Sequence, residues 1–538
     1  MIRFERVTVT YPDAPVPALS DVSLHISEGE LCLVVGPTGS GKSTLLRCVN
    51  GLVPWFSGGE VAGRVVVDGR DTSVHPPREL ADIVGYVGQA PASGFVAEMV
   101  EDELAYTMEN LGVAPEVMRR RVEEVIDALG LGPVRRRALT DLSSGEQQRV
   151  AIGSVLAAAP RVLVLDEPTS ALDPAAAEEV LASLTRLVHD LGLTVVVAEH
   201  RLERVIQYAD RVVVIERGRV RDGSPEAMMT GAPVAPPVVE LGRLAGWSPL
   251  PLSVRDARRR SHALRDRLGR SPLEPARIPL VASPVVEVPV VEVRGLCARY
   301  GTTVALGSVD LAIHRGEMVA VMGRNGAGKS TLLAQLAGWR VPAAGRVTVG
   351  GAEPHTVAPA QLVRMVALVP SDPGVLLYAA SVADECRIAD EESGLAPGTT
   401  MASVTSVLTG VDPQRHPRDL SEGQRLALTL GIVLAPEPDV VLLDEPTRGL
   451  DYAAKRELAT VLRSLAARDH AIVLAAHDVE MVAEIATRVV VLGDGDVVAS
   501  GPAREVVSAS PMFAPQVGKI LAPSPWLTVG EVREALGA

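Results

Sequence analysis

The amino-acid sequence contains the same series of motifs twice, and this duplication limits the possible folds more than any other feature. The segment VVGPTGSGKSTLL (34–46) recurs as VMGRNGAGKSTLL (321–333), and LVLDEPTSALD (163–173) recurs as VLLDEPTRGLD (441–451). Between them, DLSSGEQQR recurs as DLSEGQR. Because the order and spacing of the motifs persist, we interpret the 538 residues as two homologous halves, which suits a length too great for one core.

Each half alternates short apolar runs with helical stretches. The apolar runs lie at 31–35, 162–165 and 194–198 in the first half and at 318–322, 440–443 and 471–476 in the second. Uninterrupted apolar runs of this length between helices are typical of parallel strands that are buried on both faces. The sequence therefore predicts an α/β fold for each half.

A weaker repeat follows the strong motifs in each half. The segment PPVVELGRLAGWSPLPLSVRDA (236–257) resembles APQVGKILAPSPWLTVGEVREA (514–535), which predicts a small C-terminal appendage on each half. The predicted organisation is a first domain, its appendage, a proline-rich linker, a second domain and its appendage, at 1–231, 232–265, 266–288, 289–505 and 506–538.

Composition and charge argue against several classes of protein. A net charge of −14 and an aromatic content of 3% are poorly suited to binding polyanions or stacking on single-stranded nucleic acid. The four cysteines form no CxxC pair, so we expect free thiols in a reducing compartment. We also expect neither a signal peptide nor a membrane span, because the N-terminus lacks an apolar core and no window approaches about 18 apolar residues.

Both glycine-rich segments fit the GxxxxGK[ST] pattern of phosphate-binding loops. Each segment follows an apolar run and opens a helical stretch, where backbone N–H groups and a helix N-terminus converge on phosphate. We predict that Lys42 and Lys329 reach the β- and γ-phosphates of ATP and that Ser43 and Ser330 bind Mg²⁺. The other predicted nucleotide contacts are Gly36, Gly39, Gly41 and Thr44 in the first half and Gly323, Gly326, Gly328 and Thr331 in the second.

An Asp-Glu pair ends the second apolar run of each half. A carboxylate at this position can hold the Mg²⁺ shell, and we assign that role to Asp166 and Asp444. The glutamates that follow, Glu167 and Glu445, are placed to polarise an attacking water as catalytic residues. The alternative for all four is a surface carboxylate at the end of a strand.

A histidine and a tyrosine recur at matched positions in both halves. His200 and His477 lie just past the third apolar run, and we predict that each contacts the γ-phosphate during catalysis. Tyr11 and Tyr300 precede the phosphate loops by similar distances, and we predict that each stacks on adenine, with core packing as the alternative.

Taken together, the phosphate loop, LSSGE or LSEGQ signature, Asp-Glu strand end, SALD or RGLD loop and following histidine resemble the ATP-binding cassette (ABC) ATPases. The resemblance covers nearly the whole chain, twice. It implies two P-loop domains that pair head to tail, with ATP held between the phosphate loop of one and the signature of the other. Asp173 and Asp451 would lie in loops that communicate between the sites. The signature residues implied to cap the γ-phosphate are Ser143, Gly145, Ser421 and Gly423.

One loop departs from the family pattern. GYVGQAPA (85–92) recurs as ALVPSDPG (367–374), with Ser371 in the place of Gln89. By the resemblance, Gln89 reaches the Mg²⁺ and water region and relays to a membrane partner. The serine is too short to span the same distance directly, although a bridging water could. In the implied head-to-tail pairing, Ser371 shares its ATP site with the LSSGE signature, so both departures fall in one composite site, and we predict that the Lys42 site hydrolyses ATP faster.

A narrower resemblance concerns the energy-coupling factor (ECF) importers of vitamins and transition-metal ions. The segment VEDELAYTMENLG (100–112), the motif EPTRGLDY and the C-terminal repeat look like their fused two-domain ATPases. This implies a transmembrane coupling protein with arginine-bearing helices, a substrate-binding membrane subunit and a peripheral position on the cytoplasmic face of the membrane. Acidic residues suitably placed to meet those helices, or alternatively solvated surface charges, are Asp102, Glu103, Asp384 and Glu385.

Other classes with ABC cassettes fit less well. Ribosome-associated factors typically carry a long charged hairpin between cassettes, whereas this segment is short and broken by prolines, and we predict no nucleic-acid partner. Fused sugar-importer ATPases usually have a degraded second half, but here both catalytic glutamates are present. DNA-repair members would need a coiled coil or a zinc insertion. An arginine-rich patch could contact phosphate or anionic lipid, or form a solvated helix face; its members are Arg255, Arg258, Arg259, Arg260, Arg265, Arg267 and Arg270.

Overall fold

In the computed structural model, the chain folds into two units. The described residues are 1–12, 16–170, 172, 174–269, 288–408, 410–511 and 513–537. The first unit is Met1–Ala257 and the second is Arg258–Ala538. Asp173, Arg270 and most of the predicted linker lie outside the described residues. Within the described part of the chain, no helix combines the length and hydrophobicity needed to cross a membrane.

The first unit contains a large sheet and a smaller antiparallel sheet. Its strands are β1 (Ile2–Thr10), β2 (Leu19–Ile26), β3 (Leu31–Val35), β4 (Glu60–Val67), β5 (Arg70–Asp71), β6 (Val84–Val87), β7 (Val162–Asp166), β8 (Thr194–Ala198), β9 (Arg211–Glu216) and β10 (Arg219–Gly223). The large sheet has the order β10-β9-β3-β8-β7-β6, and only β10 is antiparallel to its neighbour. The smaller sheet has the order β2-β1-β4-β5.

The helices of this part of the chain include those of the segment predicted to be an appendage, and the last of them crosses the boundary between the units. They are α1 (Lys42–Val49), α2 (Leu52–Trp55), α3 (Pro77–Leu80), α4 (Val100–Asn110), α5 (Pro115–Leu129), α6 (Ser144–Leu156), α7 (Pro174–Leu191), α8 (Leu202–Val205), α9 (Pro225–Gly231), α10 (Pro237–Ala245) and α11 (Val254–Arg260). Helix α5 begins with a proline, whose missing N–H costs nothing in a first turn, and is followed by Gly130 in a left-handed conformation.

The second unit repeats this arrangement. Its strands are β11 (Val291–Tyr300), β12 (Thr303–Ile313), β13 (Met318–Met322), β14 (Ala344–Val349), β15 (Val366–Val369), β16 (Val440–Asp444), β17 (Ala471–Ala475), β18 (Arg488–Gly493) and β19 (Asp496–Pro502). The large sheet has the order β15-β16-β17-β13-β18-β19, and the smaller sheet has the order β12-β11-β14. The helices are α12 (His262–Leu268), α13 (Lys329–Leu336), α14 (Pro359–Met365), α15 (Val382–Ser393), α16 (Thr399–Val407), α17 (Glu422–Leu434), α18 (Tyr452–Ala466), α19 (Val479–Ile485), α20 (Ala503–Ala509), α21 (Gln516–Leu521) and α22 (Val529–Leu536).

The central strands confirm the α/β fold predicted from the apolar runs. Every residue of β3, β7 and β8 is buried, as is every residue of β13, β16 and β17. Each fully buried aliphatic side chain contributes roughly 1.5–3 kcal/mol relative to exposure, so these strands form the rigid base of each unit. Their carboxyl ends carry the residues that the sequence predicts to be functional.

The beginning of the second unit packs on the C-terminal segment of the same unit, which the sequence predicts to be an appendage. Ser261 is fully buried and donates a hydrogen bond to the carbonyl of Ile520 at 3.3 Å. Arg265 donates to the carbonyl of Ala522 at 3.0 Å, and α12 packs against α22. Several arginines of the predicted basic patch are exposed on α11 and α12. The division between the units therefore falls inside 232–265, and the domain boundaries stay predictions.

Candidate functional site

The phosphate loops wrap around their lysines in both units. Lys42 stands at the start of α1 and donates from Nζ to the carbonyls of Gly36 at 2.8 Å and Pro37 at 3.1 Å. Lys329 makes the same pair of bonds, at 2.9 Å to Gly323 and 3.2 Å to the next residue. Each lysine is 6% exposed. The loops thus form closed cradles at a helix N-terminus, the geometry that binds phosphate.

The glycine directly before the lysine of each loop is required by space as well as by backbone angle. Gly41 has φ +107°, and a Cβ there would lie 2.4 Å from the carbonyl oxygen of Ala18. Gly328 has φ +99°, and a Cβ would lie 2.5 Å from the carbonyl oxygen of Ala305. Gly39 also has a positive φ, +76°, but a Cβ there would meet nothing within 4 Å.

The difference between Gly41 and Gly39 allows a matched test of how closely the phosphate loop is packed. We expect Gly41→Ala to abolish ATP binding in the first unit, because the carbonyl of Ala18 must move and the loop with it. Gly39→Ala should cost only about 1–2 kcal/mol of backbone strain and retain ATP binding. Titration of each variant with fluorescent ATP, in the Lys329→Ala background, measures the first unit alone. Equal affinities for the two glycine variants would contradict the proposed close packing.

The predicted metal ligands meet at the end of β7 and of β16. Burial raises the pKa of Asp166, while a hydrogen bond with Ser43 opposes this rise. Burial likewise raises the pKa of Asp444, opposed by a bond with Ser330 and by Lys329. The Oδ1 atom of Asp444 is buried and has no hydrogen-bond partner among the described residues. A buried carboxylate beside a serine hydroxyl is an oxygen donor set that fits Mg²⁺, whose charge would favour the ionised form.

In the first unit, two polar side chains contact the glutamate that the sequence predicts to be catalytic. Glu167 is 8% exposed and has a left-handed backbone, with φ +54°. Its Oε1 lies 2.9 Å from Nε2 of His200, and its Oε2 accepts a bond of 3.2 Å from the amide of Gln89. The structure thus brings together the residues predicted to orient a water and sense the γ-phosphate, at the edge where Asp166 and Ser43 lie.

The corresponding glutamate of the second unit is held differently. Glu445 Oε1 lies 3.2 Å from Nε2 of His477 and 4.0 Å from Nζ of Lys329. Its Oε2 accepts the backbone N–H of His477 at 3.2 Å. His477 also lies 2.9 Å from Lys329 Nζ and 2.9 Å from Asn325 Oδ1. Ser371, in the place of Gln89, has no amide to offer, so the two glutamates have different partners.

The signature motifs start helices α6 and α17 through capping boxes. Ser143 accepts the backbone N–H of Glu146, whose carboxylate accepts the N–H of Ser143 at 2.7 Å. In the second unit, Ser421 and Gln424 make the equivalent pair. Gly145 and Gly423 lie in the first turn of these helices, and N–H groups at a helix N-terminus are donors of the kind that bind an anion. Their contact with ATP on the opposite domain stays a prediction.

The two predicted adenine-stacking tyrosines have different surroundings. The hydroxyl of Tyr11 lies 3.3 Å from Oγ1 of Thr44, which ties it to the phosphate loop of its own unit. Tyr300 is 42% exposed, and the guanidinium of Arg340 lies 4.6 Å from its ring centroid. Thr331 follows Ser330 in α13, as its counterpart does in α1. Stacking on adenine stays a prediction for both rings.

Two of the acidic residues predicted to meet a partner are used inside their own loops. Glu103 is 4% exposed, and its Oε2 accepts the backbone N–H groups of Val96 and Ala97 at 2.9 Å each. Glu385 is 3% exposed and accepts the N–H of Ala379 at 2.5 Å. Neither a partner-binding nor a solvated surface role fits these two glutamates. Their function is to fix the loop that precedes α4 or α15, while Asp102 remains exposed.

The sequence analysis did not single out one buried residue near the site. Glu199 precedes His200 and is 2% exposed, and burial raises the pKa of its carboxyl group. The second unit has Ala476 at the matched position. A comparison of VVVAEH with IVLAAH between the halves would have found this difference.

Comparisons with known proteins identify the family. A family model described as ABC transporter matches residues 19–170 and 306–448. The chain belongs to the ABC transporter family. It is 60% identical over its whole length to an ABC transporter ATP-binding protein of Streptomyces avermitilis, which it covers fully. A similarly named protein of Methanosarcina mazei is 36% identical over 94% of this chain and 90% of its own length.

A solved structure, cbiO1 from Clostridium perfringens, described as part of the ABC transporter complex cbiONQ, is 30% identical. It aligns with 42% of this chain and 89% of its own, with a TM-score of 0.39. Family membership and the site geometry agree: this ABC protein contains two cassettes, binds ATP with Mg²⁺ and hydrolyses it.

Proposed function

We propose that this ABC ATPase powers an ECF-type importer of a vitamin or a transition-metal ion from the cytoplasmic face of the membrane. A separate transmembrane coupling protein would dock on both cassettes, and a second membrane subunit would bind the substrate. The observation that carries the proposal is an exposed apolar surface beside the Gln89 loop and a corresponding one beside Ser371.

The surface of the first unit surrounds a cavity of about 500 Å³ that extends from the metal ligands. Ser43, Asp166 and Gln89 line one part of the cavity, while Phe56 and Phe95 line another. Phe56 is 84% exposed, and the neighbouring Val96 is 61% exposed. Apolar side chains exposed around a concave site are typical of a surface that binds another protein.

The second unit exposes apolar side chains in the matching loop. Val375 and Tyr378 are each 66% exposed, and they lie between Ser371 and the loop-fixing Glu385. Asp384, at the start of α15, is about half exposed, and Asp102 is exposed at the start of α4. These carboxylates provide complementary charge for a cationic coupling helix, which favours correct orientation of the partner.

The contacts of the first unit suggest how ATP and partner are linked. Gln89 bonds to Glu167 at one end of the loop, and Val96 is fixed by Glu103 at the other end. A change in the position of Glu167 during the ATP cycle would therefore move a loop whose far end is held against α4. The same loop carries the apolar surface that the coupling protein would contact.

Substitution of this surface tests the proposal. We expect Val96→Asp combined with Tyr378→Asp to remove the coupling protein when the tagged chain is purified from detergent-solubilised membranes. Burying two charges in an apolar interface should weaken it by about 2 kcal/mol or more, roughly thirtyfold. The matched control is Leu191→Asp with Val498→Asp, which changes two side chains that are 70% and 69% exposed elsewhere.

The identity of the co-purified proteins separates the candidate functions. A small multi-helix membrane protein that is retained by the control and lost from the test variant supports the importer. Its substrate is then found by identifying what the accompanying membrane subunit binds. Co-elution with ribosomes, without any membrane protein, would contradict the proposal, as would equal recovery of the membrane protein with both variants.

A further inference from the structure

The two units differ at the buried position before the catalytic histidine. Glu199 is 2% exposed in the first unit, and Ala476 is fully buried in the second. Both follow the last residues of a buried central strand, β8 or β17. A buried carboxylate beside a catalytic group is costly without hydrogen bonds, so its partners indicate its role.

Glu199 uses both carboxylate oxygens to bind backbone N–H groups around the catalytic glutamate. Oε1 accepts the N–H of Thr169 at 2.7 Å, and Oε2 accepts the N–H of His200 at 3.2 Å. Thr169 lies two residues after Glu167. Glu199 therefore joins the two chain segments that carry the catalytic glutamate and the histidine.

In the second unit, the catalytic glutamate itself binds the same backbone group. With alanine at 476, the N–H of His477 donates to Oε2 of Glu445 at 3.2 Å. In the first unit, the matching oxygen of Glu167 accepts instead from the side chain of Gln89 at 3.2 Å. The presence of Glu199 thus coincides with a catalytic carboxylate turned towards the Gln89 loop.

We propose that Glu199 is a positioning residue for ATP hydrolysis in the first unit, because it binds the His200 N–H and so leaves both oxygens of Glu167 for Gln89, His200 and the attacking water. The second unit lacks this residue, and its Glu445 is drawn to the backbone. This role concerns only ATP hydrolysis in the first unit, and it does not depend on which membrane partner the chain binds.

The test isolates the first unit by using Glu445→Gln as the background in the full chain. We expect Glu199→Ala to lower kcat at least about tenfold with little change in KM, since a misplaced carboxylate slows the reaction without weakening ATP binding. Glu199→Gln keeps one acceptor oxygen and should give an intermediate kcat. Ser183→Ala, which removes a buried bond of 2.9 Å to the carbonyl of Glu179, is the matched control.

The reverse substitution separates positioning from general stability. In the Glu167→Gln background, Ala476→Glu should raise the kcat of the second unit severalfold, and thermal unfolding shows that each variant is folded. If Ala476→Glu does not fold, the kcat values of the first unit test the proposal instead. They should fall from the wild type through Glu199→Gln to Glu199→Ala while KM stays constant. Wild-type kcat for Glu199→Ala, or a loss explained by a smaller folded fraction, would overturn the proposal.

Discussion

Changing both Glu167 and Glu445 to glutamine is expected to abolish ATP turnover while ATP stays bound. Glutamine matches the size of glutamate but cannot accept a proton from water, and loss of a general base costs typically 10²–10⁴-fold in rate. The phosphate loops, whose lysines bind the carbonyls of Gly36 and Gly323, are untouched by the change. Phosphate release at saturating Mg–ATP measures turnover, and equilibrium binding of labelled ATP measures retention.

The control for this variant is a glutamate outside the site. Glu216, at the end of β9, is exposed, and Glu216→Gln should leave both turnover and binding unchanged. Substantial phosphate release by the double variant would show that another group activates water. Loss of ATP binding would show that the glutamates act chiefly in holding the nucleotide.

Single substitutions are expected to have unequal effects. Glu167→Gln should reduce steady-state turnover more than Glu445→Gln, by about tenfold, because one misoriented catalytic group costs that order of rate. In the first unit Gln89 and His200 hold the carboxylate by side chains. In the second unit Ser371 replaces the glutamine, and the backbone of His477 occupies one oxygen.

The comparison requires both variants at equal nucleotide occupancy. Initial rates are measured at saturating ATP. Single-turnover experiments then measure the hydrolysis rate of the site that keeps its glutamate. Equal loss from the two single substitutions would contradict the predicted asymmetry. A greater loss from Glu445→Gln would reverse it and assign the faster site to the second unit.

The sequence predicted those parts of the molecule that depend on local pattern. The apolar runs became the buried central strands, since a strand flanked by helices on both faces has no polar positions. Lys42, Asp166 and Glu167 lie at the same edge of the sheet because their motifs follow β3 and β7, two parallel strands that only β8 separates. The serine and the glutamate or glutamine of each signature also form the capping boxes that their spacing permits.

Features that depend on tertiary packing could not be predicted from local sequence pattern. The burial of Glu103 and Glu385 is decided by loops that fold back on α4 and α15, and an acidic residue in a helical first turn is usually solvated. Glu199 acts through two segments 30 residues apart in sequence, joined only by the sheet. The packing of α12 on the second unit likewise cannot be read from its place in the chain.

The number of ATP molecules held by the Glu167→Gln, Glu445→Gln chain tests most directly whether one polypeptide carries two hydrolytic sites. The protein is equilibrated with Mg²⁺ and radiolabelled ATP, separated from free nucleotide, and its bound nucleotide is analysed. We predict two ATP per chain and no ADP. One nucleotide per chain, or bound ADP formed at the wild-type rate, would contradict the account.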